Sequence, residues 1–186
     1  MLNRTTPFAV PATMKAAAID RFGGPSVLRL HELPTPEPEA DQILIQVHTA
    51  GVGGWDASVR TGEWKKPGRP RFPRVFGLDG AGIVVAKGAR VRRFAVGDRV
   101  WAYDYEEGGF YAQYVCVDAN DAGRVPRRMS LRDAGVAAVT GLTALQGAAD
   151  SGEIRRGQTV LVFGATGAVG TLAPRSMRAT AARLTN

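Results

Sequence analysis

Cysteine is nearly absent from this 186-residue chain, where Cys116 stands alone. A single thiol forms no internal disulfide, which fits a reducing compartment, and it rules out a four-cysteine structural zinc site. Histidine is almost as scarce, with only His31 and His48. No apolar run approaches the ~20 residues of a membrane-spanning helix. The start, Met1-Leu-Asn-Arg-Thr-Thr-Pro7, lacks the apolar centre of a secretory signal. The expectation is a cytoplasmic protein with no membrane partner. No internal repeat or low-complexity tract is visible. Cys116 lies in Tyr114-Val-Cys-Val117, a strand-like run where cysteine serves as a small apolar packing residue.

What the chain does have is an ordinary globular balance, 45% hydrophobic and 22% charged, with a formal net charge of +7. An excess of arginine suits phosphate-bearing ligands or nucleic acid. Here the basic residues are scattered, in short pairs such as Arg92-Arg93, Arg127-Arg128 and Arg155-Arg156. No interleaved aromatic platform accompanies them, so the charge reads as a solvated surface and no nucleic-acid partner is expected.

After an extension over residues 1–13, short strand-like runs alternate with Gly/Pro turns. Runs at 14–20, 27–33, 42–50, 80–86, 98–103 and 110–117 are rich in Val, Ile and aromatic residues. Pro34, Pro36 and Pro38 force an extended loop between the second and third. Residues 55–60 suit one or two helical turns stopped by Gly62, and 65–73 is a basic, proline-rich loop. This spacing points to a closed or half-closed β barrel. Past Pro126 the pattern turns helical, with Ser130 as N-cap of a helix over 131–138 and a second helical piece over 141–149. A turn over 153–158 follows. The chain divides into the extension, a barrel over 14–126 and a second domain over 127–186.

The second domain carries the most specific motif, Thr159-Val-Leu-Val-Phe-Gly-Ala-Thr-Gly-Ala-Val-Gly170. Residues 159–163 are predicted as a buried strand running into a glycine turn that opens a helix, the context a dinucleotide fingerprint requires. It reads A-x-G-x-x-G from Ala165, or G-x-x-G-x-x-G from Gly164. Gly167 lets backbone approach a pyrophosphate, and Gly170 lets the helix pack closely. Amides near 167–170 then face the phosphates, where the helix dipole favours anions.

These segments together resemble the medium-chain dehydrogenase/reductase superfamily, in its zinc-independent quinone oxidoreductase branch. The likeness runs from Met14 to about Ala173. It is carried by Met14-Lys-Ala-Ala, Phe22-Gly-Gly-Pro, Gly77-Leu-Asp-Gly-Ala-Gly82, Val96-Gly-Asp-Arg-Val100, Gly108-Gly-Phe-Tyr-Ala-Gln-Tyr114, Thr140-Gly-Leu-Thr-Ala144 and the glycine turn. The resemblance implies an α/β chain, mostly β here: a GroES-like barrel followed by the start of a Rossmann domain for NADP(H). It implies hydride transfer between nicotinamide and a quinone, enone or similar carbonyl acceptor. The protein then supplies mainly position and field, and no catalytic acid–base residue is assigned. By the same likeness Thr143, Gly164, Ala165, Thr166, Gly167, Ala168, Val169 and Gly170 touch the cofactor.

Zinc-dependent relatives place a Cys and a Gly-His-Glu where this chain has Trp55 and Gly77-Leu78-Asp79. Neither Trp nor Leu ligates zinc, so no metal is expected. Asp56 and Asp79 are each open to two readings, a polar site residue or an Asx-type residue holding a turn. Trp55 and Trp64 suit an aromatic wall for a planar substrate, and equally suit buried packing.

Relatives continue past the glycines with an amphipathic helix and further strands. Here Pro174 falls after the first turn of that helix, where a proline removes one backbone bond and collides with the previous turn, at a cost of about 3 kcal/mol. The acidic or basic residue expected ~20 positions past the glycines falls beyond Asn186. The expectation is a truncated or frame-shifted reductase, weak or inactive alone. Its usual dimer strands are missing, which leaves its oligomeric state open. The alternative is a non-enzymatic barrel module that binds a partner or an apolar ligand.

Overall fold

The computed structural model describes residues 8–64, 68–105, 108–152, 154–155 and 157–183. Residues 1–7 of the extension, 65–67 of the basic loop, and 153 and 156 of the 153–158 turn lie outside them. The chain forms two compact units, Met1–Val136 and Ala137–Asn186.

The first unit is built of antiparallel strands. β1 (Thr13–Ile19), β2 (Leu28–Pro34) and β4 (Arg74–Val75) make a three-stranded sheet in the order β2-β1-β4. β3 (Gln42–Ala50), β5 (Asp79–Lys87), β6 (Arg99–Tyr103), β7 (Tyr114–Asp118) and β8 (Ala122–Arg124) make a second sheet in the order β7-β3-β5-β6-β8. An isolated bridge links Ala16 of β1 to Ala112 in the loop before β7.

The interior strand β3 has an unbroken apolar stretch, Ile43-Leu-Ile45, because that stretch is buried on both faces. Side chains alternate between faces. Ile43 and Ile45 enter the main core with Val84, Phe94, Val100, Phe110 and Val117. Leu44, between them, packs on the opposite face with Met14, Val85 and Tyr114. A stretch buried on both faces has no polar side to display, whereas Gln46 and His48 farther along β3 are exposed. The edge strand β2 is largely exposed instead.

α1 (Gly54–Thr61) follows β3, and Gly62 ends it in the left-handed region at φ 84°. The short α2 (Leu131–Ala134) is N-capped by Ser130, whose Oγ accepts from the Asp133 amide at 3.0 Å. It stops at Ala134, four residues short of the expected end, and Gly135 packs against Thr49 of β3.

The second unit holds α3 (Ala138–Gln146), a π-helical turn over Gly147–Ser151, and α4 (Ala168–Arg183). One expectation is corrected here. Residues 159–163 are not a strand: 159–162 carry no regular structure and Phe163 opens a turn, and among the described residues no strand of this unit offers a ladder. α4 is helical on both sides of Pro174.

Candidate functional site

In the first unit the site candidates gather where β3 turns into α1. Gly53 is the N-cap of α1, and its amide donates to Asp56 Oδ2 at 2.7 Å. Asp56 therefore holds the turn, as an acidic residue three positions into a helix does. The same oxygen accepts from the Tyr111 hydroxyl at 2.9 Å. Tyr111 comes from the loop before β7, where its amide donates to the Phe76 carbonyl at 2.7 Å. Burial first, then the hydrogen bond to Asp56 and the charges of Asp56 and Asp79, push its phenol well above the usual range. The hydroxyl thus stays protonated and committed to the carboxylate.

Trp55 folds back over its own helix start. A Cβ on Gly53 would lie 2.1 Å from the indole, so only glycine fits beneath that ring. Its Nε1 is buried without a hydrogen-bond partner among the described residues. Trp64 is 53% exposed, and its amide donates to the Ser58 carbonyl at 3.3 Å. The ring pair seen among the described residues is Phe22 with Phe72, centroids 5.4 Å apart; it does not join Trp55 to Trp64. Asp79, at the head of β5, is 3% exposed. Its carboxylate fills the space beside Gly51, where a Cβ would meet Oδ1 at 2.3 Å. Burial, then the charges of Tyr105, Asp79 and Asp104, raise the Tyr103 phenol as well.

The glycine turn lies in the second unit. Gly164 has φ 74°, and the Gly167 amide donates to the Gly164 carbonyl at 2.9 Å. Gly170 is buried, and a Cβ there would stand 2.0 Å from the Gly164 carbonyl oxygen. The first intrahelical bond is Thr171 N–H to Gly167 C=O at 2.9 Å. The amides of Ala168, Val169 and Gly170 precede it and have no partner among the described residues. Ala165, Thr166, Ala168 and Val169 are exposed. Thr143 lies on α3, and its hydroxyl turns back to the Val139 carbonyl at 2.8 Å. α3 packs on α4 where Gly141 meets Leu172.

Among the described residues, no group of three or more His, Cys, Asp or Glu side chains stands together to hold a metal. No helix among them is long and apolar enough to cross a membrane.

Residues 39–127 match the alcohol dehydrogenase GroES-like domain family. The chain is 36% identical over 167 residues to quinone oxidoreductase from Lama guanicoe, covering 89% of this chain and 50% of that protein. Its fold superposes on an alcohol dehydrogenase superfamily protein from Novosphingobium aromaticivorans with a TM-score of 0.82, at 35% identity and covering 91% of this chain and 51% of that one. The chain is similar to the medium-chain dehydrogenase/reductase superfamily, in its quinone oxidoreductase-like branch. It also resembles the quinone oxidoreductase from Escherichia coli solved with NADPH, with a TM-score of 0.77 and 26% identity, over 89% of this chain and 50% of that one. This chain spans about half the length of these relatives. Like these relatives, the chain combines a GroES-like region with the opening of a Rossmann-type fold.

Tyr111 as the partner of Asp56 was not visible in the sequence. The two are far apart along the chain, and Tyr111 sits inside a family-like motif without any local sign of its contact. Asp56 itself was visible as a turn-holding candidate.

Proposed function

We propose that this chain carries part of an NADP(H)-dependent oxidoreductase that passes a hydride between nicotinamide and a quinone, enone or similar carbonyl acceptor. We further propose that alone it is weak or inactive. The reading rests on the start of α4. The unpartnered amides of Ala168, Val169 and Gly170 fit a pyrophosphate. Gly170, which has no room for a side chain, keeps the helix start tight against the Gly164 carbonyl. Gly164, Ala165, Thr166 and Gly167 would form the turn over the phosphates, and Thr143 would touch the cofactor by resemblance. The bound dinucleotide supplies the hydride chemistry. In the second unit the chain's own part is to hold its phosphates; in the first, Trp55 and Trp64 are the candidates for contact with a planar acceptor.

Trp55 and Leu78 stand where zinc-dependent relatives place ligands, which supports a zinc-independent site. A cytoplasmic location is supported by the single, half-buried thiol.

Calorimetric melting with NADPH tests the proposal, since a ligand that binds only the native state raises the midpoint. The expected result is a small upward shift that needs millimolar NADPH, with little quinone turnover. No shift at any concentration would remove the cofactor reading. Micromolar affinity with rapid turnover would remove the claim of weakness. A second reading, a non-enzymatic barrel module, is favoured by the self-contained core of the first unit; it predicts melting unaffected by NADPH.

A further inference from the structure

The arginine pair Arg127-Arg128 and the N-cap Ser130 share one exposed corner of the first unit. The Met129 amide donates to the Pro126 carbonyl at 2.9 Å, which closes a turn with the two arginines at its centre. Residues 125–130 are in neither helix nor strand, and Arg127, Arg128, Ser130 and Arg132 are all exposed. Among the described residues, no hydrogen bond or ion pair engages the side chains of Arg127, Arg128 or Arg132. Arg90 and Arg124, by contrast, are held by Asp41 and Asp98. Three uncommitted cations thus stand within three residues of one hydroxyl.

That hydroxyl has no equivalent elsewhere in the chain. Ser130 alone among the serines has arginine at both the second and the third position before it, and no threonine has that pair. A peptide groove lined by carboxylates reads such a pair through its charge and its spacing. The segment can enter such a groove extended, since one turn hydrogen bond has to open and no strand pairing is lost.

We propose that Ser130 is a phosphorylation site for an arginine-directed serine kinase. This inference does not rest on the cofactor reading. Ser130 Oγ attacks the γ-phosphorus of ATP. The new O–P bond forms, the bond from that phosphorus to the β–γ bridging oxygen breaks, ADP leaves, and the hydroxyl proton passes to the kinase's carboxylate base. The modification rewrites the cap of α2. In the unmodified chain Oγ accepts from the Asp133 amide at 3.0 Å and donates to Asp133 Oδ2 at 2.6 Å. A phosphoserine keeps acceptors for the amide and loses the proton that holds the carboxylate. Asp133 is then repelled, and Arg127, Arg128 and Arg132 serve as counter-ions to the phosphate. Those three arginines and Asp133 carry a formal +2 between them. A phosphate of about −1.5 to −2 at neutral pH brings the corner close to neutrality.

Incubating the full chain with ATP and the catalytic subunit of cyclic AMP-dependent protein kinase tests the proposal, with mass spectrometry to place the phosphate. The native chain should gain one phosphate, on Ser130, and Ser130→Ala should gain none. Replacing Arg127 and Arg128 together by Ala should slow the reaction at least about tenfold. The same change at the exposed pair Arg69 and Arg71 should leave the rate unchanged. Trp101 packs with Met129 and Leu131, so its fluorescence reports whether each variant keeps α2 seated. A native chain that takes no phosphate would overturn the proposal. So would phosphate placed elsewhere, a rate indifferent to the loss of Arg127 and Arg128, or labelling seen only after heat denaturation.

Discussion

Asp56 ties two pieces of chain to one carboxylate. It accepts from the Gly53 amide at the start of α1 and from Tyr111 in the loop before β7. Replacing it by Ala removes a helix cap and strands the Tyr111 hydroxyl, at a cost of about 1–2 kcal/mol. Tyr111→Phe should cost about 1 kcal/mol, and the double variant should cost less than the sum. Urea unfolding of the four proteins, read through fluorescence, measures that coupling. Full additivity would mean that the hydrogen bond contributes nothing. Cys116 gives a second prediction at this scale. Burial, then the charge of Glu39, pushes its thiol up to about 12 from 9.0. The folded state therefore holds the proton more tightly than the unfolded chain. The stability this contributes is complete below pH 9.0 and is lost as pH rises toward about 12. At pH 8 the native thiol should resist alkylation and react promptly once the chain is unfolded, as mass spectrometry would show.

Among the elements, those that carry their own punctuation were legible. β3 was readable from its β-branched run, and α1 from the glycine that ends it at φ 84°. Ser130 marked the start of α2. β4 and β8 span only Arg74–Val75 and Ala122–Arg124, too short to leave a periodicity. Residues 159–163 show the reverse case. Their composition is that of a strand, but a strand exists only with a neighbour, and sequence records preference rather than pairing. The same limit hid the Asp56–Tyr111 contact, which arises from tertiary folding. Pro174 lies inside α4, which spans Ala168–Arg183 around it. Its cost should therefore be recoverable. Pro174→Ala should restore a backbone donor and stabilise α4 by up to about 3 kcal/mol. Far-UV circular dichroism should show greater helical amplitude, and an unchanged spectrum would contradict this.

At the scale of the whole molecule the two units differ in how much apolar surface they enclose. The first buries Ile19, Ile43, Leu44, Ile45, Val84, Val85, Phe94, Val100, Phe110 and Val117 almost completely. In the second, the buried apolar residues among those described are Ala144, Ala148 and Ala173, while Leu142, Leu145, Leu161 and Phe163 face water. Small side chains remove little area from solvent, so the second unit gains little from burial. Native-state hydrogen exchange should separate them. Amides of β3 and β5 should exchange most slowly, near the rate set by global unfolding, and those of α3 and α4 much faster. Equal protection across both would show that the chain unfolds as one cooperative body.

The bare Phe163 ring also bears on how long the chain survives in a cell. Chaperones and proteases sort proteins continuously, and solvent-facing apolar side chains are what marks a molecule for them. A copy with a perfectly formed barrel would still display that mark. Its lifetime in the cell would then follow the fate of one five-residue segment rather than the strength of its sheet.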